Sequence, residues 1–222
     1  MGTMEQLRTV ERRRLSDVAF QRLLEAIIRE DLAPGARIRD AELAAQLGLS
    51  RTPVREAVNR LVDLGLAESK PSAHTRVTTL TARSVERTLE ILQSLDRLAV
   101  EQAVPNIGPA QLAELQRMND RFAEAIRSGS AAAVLDADVT FHQALREYAE
   151  NPVLMRVMSQ LDPHVQRILF RKFSSRLGAP NTVHHHVALL DLIAAGDAAG
   201  AASSSAQQWR ELGGQIGELF AD

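Results

Sequence analysis

The 222 residues include no cysteine, which excludes disulfides and thiolate metal sites and fits a reducing compartment. Aromatic residues make up only 4% of the chain, with one tryptophan and one tyrosine. Any core must therefore be built mainly from Leu, Ile, Val and Ala. No apolar run approaches the roughly 18 residues that a membrane span requires. The first residues, "MGTMEQLRTVERRR", lack the apolar centre of a secretion signal, so a soluble, cytoplasmic protein is expected. A strong charge surplus is missing too, the formal net charge being −2. Residues 1–80 carry 13 Lys/Arg against 11 Asp/Glu, and residues 81–222 carry 13 against 17. So slight a basic surplus does not by itself indicate a nucleic-acid partner; the placement of the arginines must decide.

What the sequence has in abundance is helical signal. Ser16 can cap a helix running to about Glu30, where "DLAPGAR" supplies a Pro-Gly turn. Asp40 can cap a short helix, "AELAAQL", that stops at Gly48, and a further helix runs from Ser50 to about Leu64, ended by Gly65. "LAES" and "RVTTL" flank "KPSAH" and read as a two-stranded hairpin. This order predicts a winged helix-turn-helix over residues 15–80, preceded by a tail at 1–14. From 81 to 222 the chain becomes a series of long Ala- and Leu-rich segments, at about 84–104, 109–127, 131–149, 152–172, 181–195 and 197–220. Breaks rich in Gly, Pro or Asn separate them, which predicts an all-α helical bundle. The fold class is thus mostly α.

The stretch "LGLSRTPVREAVNRL" carries the first functional argument. On a helical wheel Val54, Ala57, Val58 and Leu61 gather on one side, suited to packing. Arg51, Arg55 and Asn59 fall within an arc of about 80° on another side, joined by Thr52. Arginines in the first turn of a helix that follows a short helix and a glycine turn have the layout of a DNA recognition helix. The arginine fork can donate two hydrogen bonds to guanine, and first-turn N–H groups, with Ser50 as cap, can meet a phosphate. Pro53 costs nothing there, since a first-turn N–H has no intrahelical partner.

"PGARIRDAELAAQLGLSRTPVREAVNRLVDLGL" resembles the DNA-binding domain of the GntR superfamily of bacterial transcription regulators, whose hallmark is the "SRTPVREA" run. The resemblance implies that Arg51 and Arg55 read bases and backbone and that Ser50 and Thr52 contact phosphate. Relatives often carry Asn-Arg-Gly at the wing tip; here Ser72, Ala73 and His74 stand instead, leaving His74 as the wing's candidate contact.

In "LDADVTFHQAL", Asp138 and His142 are four apart and share a helix face with Leu135, Phe141 and Leu145. In "TVHHHVALLDLI", His186 aligns with Leu189, Leu190 and Ile193, hence inward, whereas His184 points away. A carboxylate and imidazoles directed into an apolar bundle need partners. Three arrangements would satisfy them: a nitrogen–oxygen metal site, a polar pocket bonding an organic ligand directly, or a buried Asp–His pair that satisfies itself.

This half of the chain, through "FHQALREYAENPVL" and "HVALLDLIAAGDAAGA", resembles the effector-binding (FCD) domain of the fatty-acid-regulator subgroup of that superfamily. In such relatives an Asp and three His hold a metal at the floor of a ligand pocket, and small carboxylates complete its coordination. The resemblance implies Asp138, His142 and His186 as ligands of a divalent, zinc- or nickel-like ion. Gln208 occupies the fourth place, and a neutral amide oxygen is a poor ligand for such metals. Leu92 stands where many relatives have an arginine, which implies either a less acidic ligand or a clamp by another residue. Arg171, Arg167 and Ser205 are the candidates, with Gln208 lining the same pocket. The expected protein is a non-enzymatic, ligand-responsive regulator that binds double-stranded DNA as a homodimer, with a small carboxylate effector and no membrane partner. The alternatives are a metal-dependent hydrolase or lyase and a constitutive DNA-binding dimer.

Overall fold

The computed structural model describes residues 15–70, 74–175 and 180–215. The expected tail at 1–14 and the tip residues Ser72 and Ala73 lie outside these. Contacts divide the described chain into two compact units, the first built from residues up to Ile27 and Leu32–Thr78, the second from Ile28–Asp31 and the residues from Thr79 onward.

In the first unit α1 (Leu15–Ile28) precedes a two-residue strand β1 (Arg37–Ile38), then α2 (Asp40–Leu47) and α3 (Arg51–Asp63). Gly48 ends α2 in the left-handed region at φ 65°, a conformation that an L side chain adopts only at a cost. The backbone can therefore turn within two residues and re-enter a helix at Arg51. Phe20, Leu23, Ile27, Val54, Val58, Leu61, Leu66 and Val77 form the core of this unit. β2 (Ala67–Lys70) and β3 (His74–Val77) form the expected antiparallel hairpin, but the sheet has a third strand: β1 pairs with β3 through Arg37 opposite Arg76 and Ile38 opposite Thr75. The wing is therefore three-stranded, in the order β1-β3-β2. A strand of two residues shows no alternation of polarity, which is why the sequence pattern passes over it. Three cap assignments also change: Ser16 lies inside α1 rather than at its cap. Arg39, not Asp40, occupies the cap position of α2, and Ser50 sits at the cap of α3 with extended backbone but no side-chain cap hydrogen bond.

The second unit is helical among the described residues: α4 (Ala82–Ala103), a 3-10 turn at Val104–Asn106, α5 (Pro109–Ser128), α6 (Ala131–Glu147), α7 (Pro152–Ser174), α8 (Pro180–Ala194) and α9 (Ala198–Gly214). Local chemistry sets the starts. Thr81 and Ser84 form a reciprocal capping box at α4, and Ser130, Asn151 and Asp197 cap α6, α7 and α9. Gly200 belongs to the last of these, because a Cβ there would collide with the Asp197 carboxylate that caps the helix. Helix α4 packs against α9, α6 and α7, and α8 against α5 and α9. Val100, Leu115, Phe141, Leu145, Leu189 and Ile193 fill the core, aliphatic in the main as the shortage of aromatics requires. No described helix is long and apolar enough to cross a membrane.

Candidate functional site

Two places gather the residues of chemical interest. The first is the face of α3. Pro53, Val54, Ala57, Val58 and Leu61 are buried against the rest of the unit, whereas Ser50, Arg51, Thr52, Arg55 and Asn59 are all exposed. One side of the helix is thus committed to packing and the other offers five polar side chains. Arg55 Nε lies 3.9 Å from Asp40 Oδ2, both side chains being accessible, so this contact is weak and yields readily. Arg60, near the end of the same helix, is differently placed. It bonds Asp17 at 2.7 Å and covers the ring of Phe20 at 3.9 Å, which makes it a staple between α1 and α3. On the wing, His74 is half-buried. Desolvation, then the charges of Arg76, Arg37 and Lys70, hold its pKa below the ordinary histidine value, against Glu68.

The second place is a cavity of about 150 Å³ in the helical unit, lined among others by Asp138, His142, Arg146, Met158, Asp162 and Trp209. Asp138, His142 and Arg146 follow one another at single-turn steps on α6, so one helix face delivers all three. His186 comes from α8 and is 0% exposed. Its ring is stacked on Phe141 at 4.2 Å and tilted against Phe122 at 4.8 Å. Its Nδ1 lies 3.1 Å from Asn119 Oδ1 on α5. With that amide oxygen as acceptor, Nδ1 carries the proton and Nε2 keeps its lone pair, the arrangement of a metal-ligating imidazole. Nε2 faces His142 Nε2 at 3.3 Å and Asp138 Oδ1 at 3.6 Å, while His184 is exposed.

Ligand atoms of Asp138, His142 and His186 all lie within 4.8 Å of one another. Bonds of about 2.0–2.2 Å at tetrahedral angles set ligand atoms about 3.3–3.6 Å apart, so both His186 separations suit a small divalent ion. Asp138 Oδ1 is buried without a hydrogen-bond partner, a costly state that a cation would relieve. Burial raises the Asp138 pKa, opposed by His142, Lys172 and Arg146. Burial likewise lowers the pKa of His142, against Asp138 and Asp96, and holds that of His186 well below the ordinary value, with His142, Lys172 and His185 acting in the same sense. Both imidazoles are therefore neutral near pH 7, the form that binds metals.

The remaining pocket candidates stand elsewhere. Gln208 is buried on α9 but is not among the cavity-lining residues, nor are Ser205, Arg167 and Arg171. Arg171 Nε lies 3.9 Å from Glu30 Oε1. Ser205 donates its hydroxyl to Asp96 Oδ2. Asp96 itself was not anticipated. It is a carboxylate on the buried face of α4, one turn after the buried Leu92, and it also accepts from Trp209 Nε1 at 3.0 Å and Arg146 Nε at 2.9 Å. Burial opposes its ionisation, but Arg146, His142 and the two hydrogen bonds prevail and hold its pKa below the ordinary value. The signal was present: an acid within the stripe Val85, Leu89, Leu92, Ala99, and an arginine one turn after His142.

The DNA-binding unit matches the family model described as bacterial regulatory proteins, gntR family, over residues 15–77, and the helical unit matches the FCD domain over 87–210, more than half of the chain. A probable D-xylose utilization operon transcriptional repressor of Paenarthrobacter nicotinovorans is 33% identical over 163 residues, 73% of this chain and 71% of its own length. The HTH-type transcriptional regulator McbR of Escherichia coli (strain K12) is 34% identical over 130 residues, 59% of either chain. The solved structure of E. coli McbR/YncC superposes with a TM-score of 0.80 at 26% identity, covering 93% of this chain and 97% of that one. Together with the exposed recognition face and the helical unit, these matches establish that the chain belongs to the GntR family of bacterial transcriptional regulators, among the members that carry an FCD domain.

Proposed function

We propose that this regulator acts in the cytoplasm as a homodimer on a two-fold operator, and that a small organic acid in the helical unit alters its operator affinity. The observation that carries the reading is the division of α3, with its apolar side wholly buried and Arg51, Thr52, Arg55 and Asn59 exposed. In this reading Arg51 and Arg55 enter the major groove, Ser50 and Thr52 meet phosphate, Asn59 extends the polar row, and His74 touches the duplex from the wing. One such helix reads few base pairs, and a dimer doubles the contacts and fixes the half-site spacing. Exposed apolar residues support a dimer: Ile91 and Leu98 lie two turns apart on α4, and Val153 and Val157 one turn apart on α7, which packs against it. Asp138, His142 and His186 would hold a divalent metal, for which the unpartnered Asp138 oxygen is the support. Such an ion, when bound, would cross-link α6 to α8 and offer an open coordination position. The effector then acts by population shift, since it changes DNA affinity only through unequal affinity for the two dispositions of the protein. The role is regulatory, without turnover.

Footprinting on operators selected from genomic fragments, with mass measurement in solution, tests the first part. A protected pair of half-sites about one helical turn apart and a dimer mass are expected; a monomer protecting a single half-site would overturn the reading. Elemental analysis of protein purified without chelators tests the metal. About one equivalent per chain, lost in His142→Ala, is expected.

A further inference from the structure

We infer that Arg146, rather than the metal position, holds the acid group of the effector, and that Asp162 competes with that group for the guanidinium. This rests on the effector reading above but is decided by different measurements. Arg146 lines the cavity and is only 7% exposed. Its Nε donates to Asp96 Oδ1 at 2.9 Å and its Nη1 to Asp162 Oδ1 at 3.2 Å. No described residue accepts from Nη2, yet this atom is not sealed from solvent. Nε is thus committed to Asp96, and the end-on edge Nη1/Nη2 is the one of the guanidinium's carboxylate-binding edges that Asp96 does not occupy.

The two acids already on Arg146 are not equivalent. Asp96 is 1% exposed and is also held by Ser205 and Trp209, so it is a permanent partner that orients the guanidinium. The Asp162 side chain is 38% exposed and also lines the cavity, and among the described residues its one hydrogen bond is with Nη1. It can swing to solvent at little cost, which makes it the exchangeable acid. On α4 itself Leu92 is buried and Arg97 is exposed, so the cation that reaches the buried Asp96 comes from α6, as Arg146. From α7 the lining also includes Met155, Met158, Val165 and Leu169, suited to a compact apolar body. A volume of about 150 Å³ suits a small ligand, and the single guanidinium suits one carboxylate.

The test uses the full chain with propionate, isobutyrate and benzoate, each beside its uncharged amide, followed by thermal shift and titration calorimetry before and after dialysis against EDTA. At least one acid, and not its amide, should stabilise the protein, and EDTA should leave that binding unchanged. Arg146→Gln should weaken binding by about tenfold or more, and Asp162→Asn should tighten it because the competing acid is gone. If Arg146→Gln strands Asp96 and fails to fold, the direction of the Asp162→Asn effect decides. Binding lost with EDTA would place the acid on the metal and overturn the inference. So would amides that bind as well as acids, an Asp162→Asn protein that binds no better, or no binding of any acid to either protein. Operator footprints on the same preparations are read separately, so the anchor can fail while the regulator reading stands.

Discussion

Arg51 is an exposed side chain with nothing to lose from folding and much to lose from DNA. Arg51→Ala should leave the melting temperature in place while it relaxes base preference and costs about 1–3 kcal/mol of operator binding, if the contact is bidentate; a footprint and sequence preference both unchanged would remove it from the interface. Asp96 is the opposite case, buried and with both oxygens engaged. Its folded pKa lies below the ordinary 3.8, so near that pH the unfolded chain binds more protons than the folded one. Stability from this group is therefore present above about pH 4 and is lost as pH falls through the lower folded value. Asp96→Asn should cost about 3 kcal/mol or more by stranding Arg146, and urea melts from pH 6 to pH 3 should show a shallower acid decline than the native protein. His142, His186 and Asp138 could be singled out from the sequence because helical spacing fixes which way a side chain points. Arg146 could not be chosen as an acid clamp in the same way, because its orientation depends on Asp96 and Asp162, which come from α4 and α7.

At the scale of elements, the helix boundaries were legible to within a few residues because Gly, Pro and capping residues punctuate them. Gly48, Gly129 and Gly196 close helices in the left-handed region at φ 65°, 71° and 71°, and each had been read as a stop or a break. Gly48 allows a clean measurement, since a Cβ at that position would meet nothing within 4 Å. Gly48→Ala should therefore destabilise by backbone strain alone, about 1–2 kcal/mol, seen as a lower urea midpoint with an unchanged slope. The third strand escaped notice for the converse reason. Its hydrogen bonds are made to β3, some 40 residues along the chain, and nothing local to Arg37 and Ile38 announces them. Caps were less legible: of Ser16, Asp40 and Ser50, only Ser50 sits at the cap of its helix, and it makes no side-chain cap bond.

For the whole molecule, a net charge of −2 means that attraction to DNA must come from the local arrangement of Arg51, Arg55 and the wing cations Arg37, Lys70 and Arg76. Operator affinity should then fall steeply with salt, and each phosphate contact removed, as by Arg76→Gln, should flatten the plot of log K against log salt by about 0.9. An affinity indifferent to salt would contradict a DNA-binding role for this face. A different consequence follows from Trp209, the one tryptophan in the chain. Its indole lines the cavity, 5.8 Å from the His142 ring, with Nε1 bonded to Asp96. All of the protein's intrinsic indole emission therefore originates at the wall of this cavity. Fluorescence excited near the red edge of protein absorption reports on that cavity alone, and the molecule carries its own optical probe for whatever enters it.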